Sequence, residues 1–181
     1  MPILSLKANR DPSGGIRDRN FASFLDICFD YSDAVSFSKI NLSGYEEYKS
    51  VTELMLEPHL IKWLRADKWY GYPRLNGSMT QFIYSADSET KKILLDCYSD
   101  IFLKDAAKWK RYKPLWNVNK HAALLEDICF WNRGKMLLGT VSHEFICSTN
   151  DIGDDFSMRL LEIATWELPD KPDCGIEKIS Y

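Results

Sequence analysis

The stretch Leu124–Ser148 constrains this chain more than any other, because it reads as a two-stranded ribbon turning at Asn132-Arg133-Gly134-Lys135. A turn centred on Arg133 and Gly134 sets the pairing. It places Phe130 opposite Leu137, Ile128 opposite Gly139, Glu126 opposite Val141 and Leu124 opposite His143, all on one face. Trp131, Met136, Cys129, Leu138, Asp127, Thr140, Leu125 and Ser142 share the other face. Apolar residues occur on both faces near the turn, so that end of the ribbon is expected to be covered on both sides. The polar quartet Asp127, Thr140, Ser142 and Glu144 reads as a solvated end of the sheet.

Two consequences for chemistry follow from this register. Cys129 and His143 fall on opposite faces, five residues apart along the ribbon, or roughly 16 Å at ~3.3 Å per residue. A nucleophilic Cys/His dyad from that pair is disfavoured. Glu126 and His143 instead become diagonal neighbours on one face, beside Ile128, Val141 and Phe145. A half-desolvated carboxylate there would favour the imidazolium, which is the kind of pair an acid–base site uses. A three-residue loop with a bulge at Gly134 would shift the register by one and send Glu126 to the other face.

The rest of the chain supplies the partners of the ribbon. Ile3–Leu6 is a short strand candidate, and Asp11–Gly15 is a loop by composition. Asn20 caps a helix with Phe21, Phe24, Leu25 and Cys28 on one side. Ser43-Gly44-Tyr45-Glu46 matches a capping box opening a second helix through Tyr48, Val51 and Met55. Pro58 then starts a third helix, His59–Trp69, with Leu60, Trp63 and Leu64 on its inner face. Gly71–Gly77 is a loop and Met79–Ala86 a strand. Asp87 or Ser88 caps a helix with Leu94, Cys97 or Tyr98, and Ile101 at helical spacing. Asp154-Asp155 opens a last helix (Phe156, Leu160, Ile163, Ala164), which Pro169 closes. Helices first, then strands framed by helices, predict an α+β domain spanning residues 1–181. Its small antiparallel sheet is built around the 124–148 ribbon and packs against several helices, with 1–19 and 170–181 loosely ordered.

Charge is segregated along this order although the total is only −3. Asp26–Glu57 holds seven acidic residues against two basic, a net of −5, and Glu144–Asp173 eight against two, a net of −6. His59–Lys120 holds twelve basic residues against six acidic, a net of +6. Either these segments neutralise one another across the fold, or they form faces complementary to a charged partner. The run Lys104–Lys120 interleaves cations with Trp109, Tyr112 and Trp116. Such a run could stack and grip single-stranded nucleic acid, but an acidic chain with one basic patch makes too few phosphate contacts for tight binding.

Other chemistries are thinly supported. The chain has no phosphate loop, dinucleotide fingerprint, zinc-type spacing or nucleophile motif, so no cofactor and no metal are expected. Glu53, Glu57 and His59 are metal ligands by type, but Pro58 breaks the helical spacing that would align them. The five cysteines form no C-x-x-C pair, which reads as free thiols in a reducing compartment. Neither a signal peptide nor a membrane-length apolar run is legible, so the location expected is cytoplasmic.

Three functions compete on these grounds. The first is an intracellular protein-binding module of the bacterial-type cytosol, such as an immunity or antitoxin-like inhibitor that occupies a charged partner's surface. Its candidate contacts are Lys108, Trp109, Arg111, Tyr112, Lys113, Trp116, Asp151, Asp154 and Asp155, and self-association is a further form it allows. The second is a small hydrolase-like acid–base enzyme using Glu126 and His143, with a pocket walled by Trp residues from 109 to 131. The third is a weak single-stranded nucleic-acid binder through 104–120.

Overall fold

The computed structural model describes residues 4–6, 16–41, 49–71, 79–102, 125–150, 153–167 and 178–181. These build an α+β fold with one eight-stranded sheet, larger than the sequence suggested. In chain order the strands are β1 (Ser5–Leu6), β2 (Ala34–Ile40), β3 (Leu60–Arg65), β4 (Met79–Ser85), β5 (Glu126–Asn132), β6 (Lys135–Val141), β7 (Ile146–Thr149) and β8 (Trp166–Glu167). The helices are α1 (Asp18–Tyr31), α2 (Val51–Leu56), α3 (Ser88–Cys97) and α4 (Asp154–Ile163). The strand order is β3-β4-β2-β5-β6-β7-β1-β8, with every neighbouring pair antiparallel.

Strand β2, which no expectation from the sequence covers, lies near the middle of the sheet. Val35 and Phe37 point to the helical face, where Phe21, Phe24, Leu25, Leu56, Leu94, Phe130, Leu138, Phe156 and Leu160 form the larger core. Ala34 faces the smaller core of Trp69, Tyr70, Met79, Ile83, Cys129, Trp131, Met136 and Val141. Ser36 and Ser38 are fully buried, and each is satisfied. The Trp131 indole N–H donates to Ser36 Oγ (2.8 Å), and Ser38 Oγ donates to Gln81 Oε1 (2.9 Å). A buried hydroxyl without such a partner would cost about 1–3 kcal/mol.

Lys39 continues the helical side of β2 and is buried with Glu53 of α2, their charges 2.8 Å apart. Glu53 also closes a capping box: it accepts from the Ser50 N–H (2.7 Å), while Ser50 Oγ accepts from the Glu53 N–H (3.2 Å). The box expected at Ser43–Glu46 lies outside the described residues, as do the loops at 11–15 and 72–77 and the run at 104–120.

Three further expectations need correction. Asn20 does not cap α1, which begins at Asp18; its side-chain amide donates instead to the Ile163 carbonyl at the C-terminal end of α4 (3.2 Å). The helix expected over His59–Trp69 is strand β3, preceded by a short 3-10 turn at Glu57–His59. Pro58 suits that turn, and the ladder to β4 outweighs the helical spacing of Leu60, Trp63 and Leu64. The ribbon over 124–148 is not two strands but three, β5, β6 and β7.

The turn between β5 and β6 has two residues, Arg133 (φ 49°) and Gly134 (φ 74°), both in the left-handed region that a primed turn demands. A Cβ at Gly134 would run into the Ile179 carbonyl oxygen. Residues 178–181 lie across this turn: the Ile179 N–H donates to the Gly134 carbonyl (2.8 Å) and the Gly134 N–H to the Tyr181 hydroxyl (3.0 Å). Trp131 pairs with Met136, but Phe130 pairs with Leu138, so Leu137 is an extra residue that shifts the expected register by one. The shift keeps Phe130 and Leu138 together in the larger core and Trp131 and Met136 in the smaller one.

The buried ion pair gives the first prediction. Lys39→Met leaves a buried carboxylate uncompensated and is expected to lower stability in urea unfolding by about 3–5 kcal/mol. Lys49→Met removes only the exposed pair with Glu57 and should cost less than about 1 kcal/mol.

Candidate functional site

The ends of β5 and β6 bring three metal-ligand or acid–base side chains together. Glu126 and Asp127 open β5, and His143 lies in the turn Ser142–Phe145 that joins β6 to β7. One donor atom from each lies within 4.8 Å of the other two. The sequence reading paired Glu126 with His143 but placed both on strands. The geometry that joins them is different, because His143 sits in a turn and Phe145 closes that turn with φ 58°.

Asp127 is the residue that sequence reasoning sent elsewhere. Strand β5 carries a bulge against β2, where Ser36 pairs with Cys129 but Ser38 pairs with Glu126. Asp127 sits in that bulge with φ 55°, a conformation that Asp tolerates better than most residues. It forms a reciprocal pair with the turn: the Asp127 N–H donates to Ser142 Oγ (3.0 Å), and the Ser142 N–H donates to Asp127 Oδ1 (2.6 Å). These two bonds stand where the β5–β6 ladder would otherwise continue. Asp127, Thr140 and Ser142 are consequently buried, which corrects the solvated end expected of them; Glu144 alone of that quartet is exposed.

Burial across the cluster is graded. Asp127 has no exposed surface, Glu126 is half-buried, and the His143 side chain is 52% exposed. Glu144 Oε1 lies 3.7 Å from His143 Nε2, so a further carboxylate flanks the imidazole. Carboxylates and an imidazole this close together, one buried and one exposed, are groups that can carry a proton or ligate a cation.

The other sequence candidates are dispersed. Lys108, Trp109, Arg111, Tyr112, Lys113, Trp116 and Asp151 lie outside the described residues. Asp154 and Asp155 are exposed in the first turn of α4, where acidic groups suit the helix dipole, and Asp155 accepts from the Tyr31 hydroxyl. Trp131 is fully buried against Trp69 (ring centroids 5.4 Å apart), so it walls no open pocket. The Glu53, Glu57 and His59 group is also separated by its contacts. Glu53 meets Lys39, Glu57 meets Lys49, and His59 Nδ1 lies 2.9 Å from Asp87 Oδ2. Partial burial alone would raise the Asp87 carboxyl, but hydrogen bonds from Ser85, Thr90 and His59 hold it well below the usual carboxylate range.

The first acidic segment, Asp26–Glu57, is largely met by opposite charge among the described residues. Asp26 pairs with Lys91 (2.9 Å) and Asp30 with Arg159 (2.8 Å). The sheet edge, in contrast, carries a surface feature that sequence reasoning hid inside a helix. Among the described residues β3 pairs only with β4, and it exposes Ile61 (44%) and Trp63 (60%) beside Lys62 and Arg65. Strict alternation would have been the signal, but Leu60-Ile61 and Trp63-Leu64 are adjacent apolar pairs that obscure it.

Comparisons with protein-family models, curated proteins and solved structures find no match. No helix among the described residues is long and apolar enough to cross a membrane.

The thiols provide a test of the site's chemistry. Cys28, Cys97, Cys129 and Cys147 are buried, and burial, aided by the nearby Asp127 charge, pushes the Cys129 thiol up to about 12. At pH 8 its thiolate fraction is therefore only about 10⁻⁴, too small for a nucleophile. In a disulfide-exchange assay at pH 8 these four thiols are expected to react only after denaturation. Rapid reaction of Cys129 in the native protein would restore it as a candidate nucleophile.

Proposed function

We propose that this chain is a protein-binding module whose docking surface is the outer edge of the sheet at β3. The observation that carries the reading is Trp63, 60% exposed on a strand that pairs on one side only among the described residues. A tryptophan in water is an unfavourable use of a large apolar ring, and Trp is among the residues that most often dominate binding energy. An open edge adds backbone donors and acceptors that an extended partner segment can complete, with side-chain pockets supplying specificity. Ile61 widens the apolar patch, and the exposed Lys62 and Arg65 would favour a partner with carboxylates at its rim.

An inhibitor of the immunity or antitoxin type is one role such a module would have, blocking a partner by covering its working surface. The edge strand, rather than charge alone, supports this reading, because Asp26 and Asp30 already have basic partners within the fold.

The test compares affinity capture by the wild type, Trp63→Ser and Leu161→Ser, the last altering an exposed apolar residue on α4. A stoichiometric partner retained by Leu161→Ser and lost with Trp63→Ser is the expected outcome, with affinity falling by about 2 kcal/mol or more. Equal capture by all three proteins would overturn the assignment of this edge.

A further inference from the structure

The Glu126–Asp127–His143 cluster is independent of the β3 edge and has its own chemistry. Glu126, Asp127 and His143 offer two carboxylate oxygens and one imidazole nitrogen within 4.8 Å of one another. Three protein donors of this mixed kind match a first-row divalent ion with an open fourth position. They match calcium or magnesium poorly, since those ions take oxygen donors almost exclusively. We propose that these three side chains form a zinc-class divalent-metal site.

The supporting structure is what such a site requires. Asp127 is fully buried, and its Oδ1 accepts from the Ser142 N–H, which fixes the orientation of the carboxyl group. Ser142 precedes His143, so the same contact anchors the turn that carries the imidazole. In a tetrahedral site, donors bound at about 2.0–2.2 Å sit roughly 3.3–3.6 Å apart. The observed set, within 4.8 Å, therefore closes by at most ~1.5 Å on binding, a movement open to the exposed His143 ring. Glu144, 3.7 Å from His143 Nε2, adds negative charge that a dication offsets and a carboxylate that can orient the ring. Sequence spacing gave no warning, because adjacent Glu126-Asp127 and a distant histidine match none of the usual zinc patterns.

The experiment is calorimetric titration of the full chain with ZnCl₂, with MgCl₂ as the contrast, for the wild type, His143→Ala, Glu126→Gln and His59→Ala. His143 is exposed and Glu126 half-buried, so circular dichroism should show both variants folded. The expected result is one zinc per chain, weakened at least ~10-fold by His143→Ala and by Glu126→Gln, and unchanged by His59→Ala. A zinc-dependent rise in the thermal midpoint should disappear in the same two variants. No saturable binding by the wild type, or equal affinity in His143→Ala, would overturn the proposal.

Discussion

Strand β2 is the constraint on which the rest of the structure depends. It is hydrogen-bonded on both sides, to β4 along its whole length and to β5, and it is buried on both faces from Ala34 to Lys39. A strand in that position must place every polar group against a partner. Ser36 takes the Trp131 indole, Ser38 takes Gln81, and Lys39 takes Glu53. The last contact ties α2 to the sheet, and α2 leads through Glu57–His59 directly into β3. On the other side, the mismatch between β2 and β5 produces the bulge that turns Asp127 toward Ser142. The exposed edge and the carboxylate–imidazole cluster are thus both downstream of how one strand satisfies its neighbours.

What was legible in the sequence follows from which interactions are local. The helix starting near Ser88 is announced by Asp87, whose carboxylate accepts the Thr90 N–H (2.8 Å). The turn at Arg133-Gly134 depends on two adjacent residues and a glycine. Strand β2 depends on partners far away: its serines look like a solvated face until Trp131 and Gln81 are brought to them. Strand β3 is hidden in the sequence for a related reason. Leu60, Trp63 and Leu64 fit helical spacing, and only the ladder to β4 shows that the segment is extended.

The site was half legible. Glu126 and His143 were matched by a register in which both lay on strands, yet a bulge at Leu137 and another at Asp127 displace that register. Their convergence survives because the Asp127–Ser142 exchange replaces the missing ladder and holds the turn against β5. Asp127 itself could not be placed by alternation, since a left-handed residue breaks the two-residue period on which alternation rests. An acidic residue with no outlet to solvent is held instead by the Ser142 N–H, which its carboxylate accepts, while its own N–H donates to Ser142 Oγ.

The two edges of the sheet are treated differently, and the difference bears on function. At one end lie β1 and β8, each two residues long, with Trp166 turned inward so that its indole donates to the Leu160 carbonyl (2.7 Å). Short edge strands with buried aromatic groups leave little for another chain to pair with. At the other end β3 runs for six residues and turns a tryptophan outward. Lys62 and Arg65 give that edge the charge that discourages indiscriminate pairing, while Lys62 is also held by the Ser180 carbonyl (3.0 Å). Among the described residues, then, one edge of the sheet is short and turned inward, while the other is longer and exposes Ile61 and Trp63 between basic side chains.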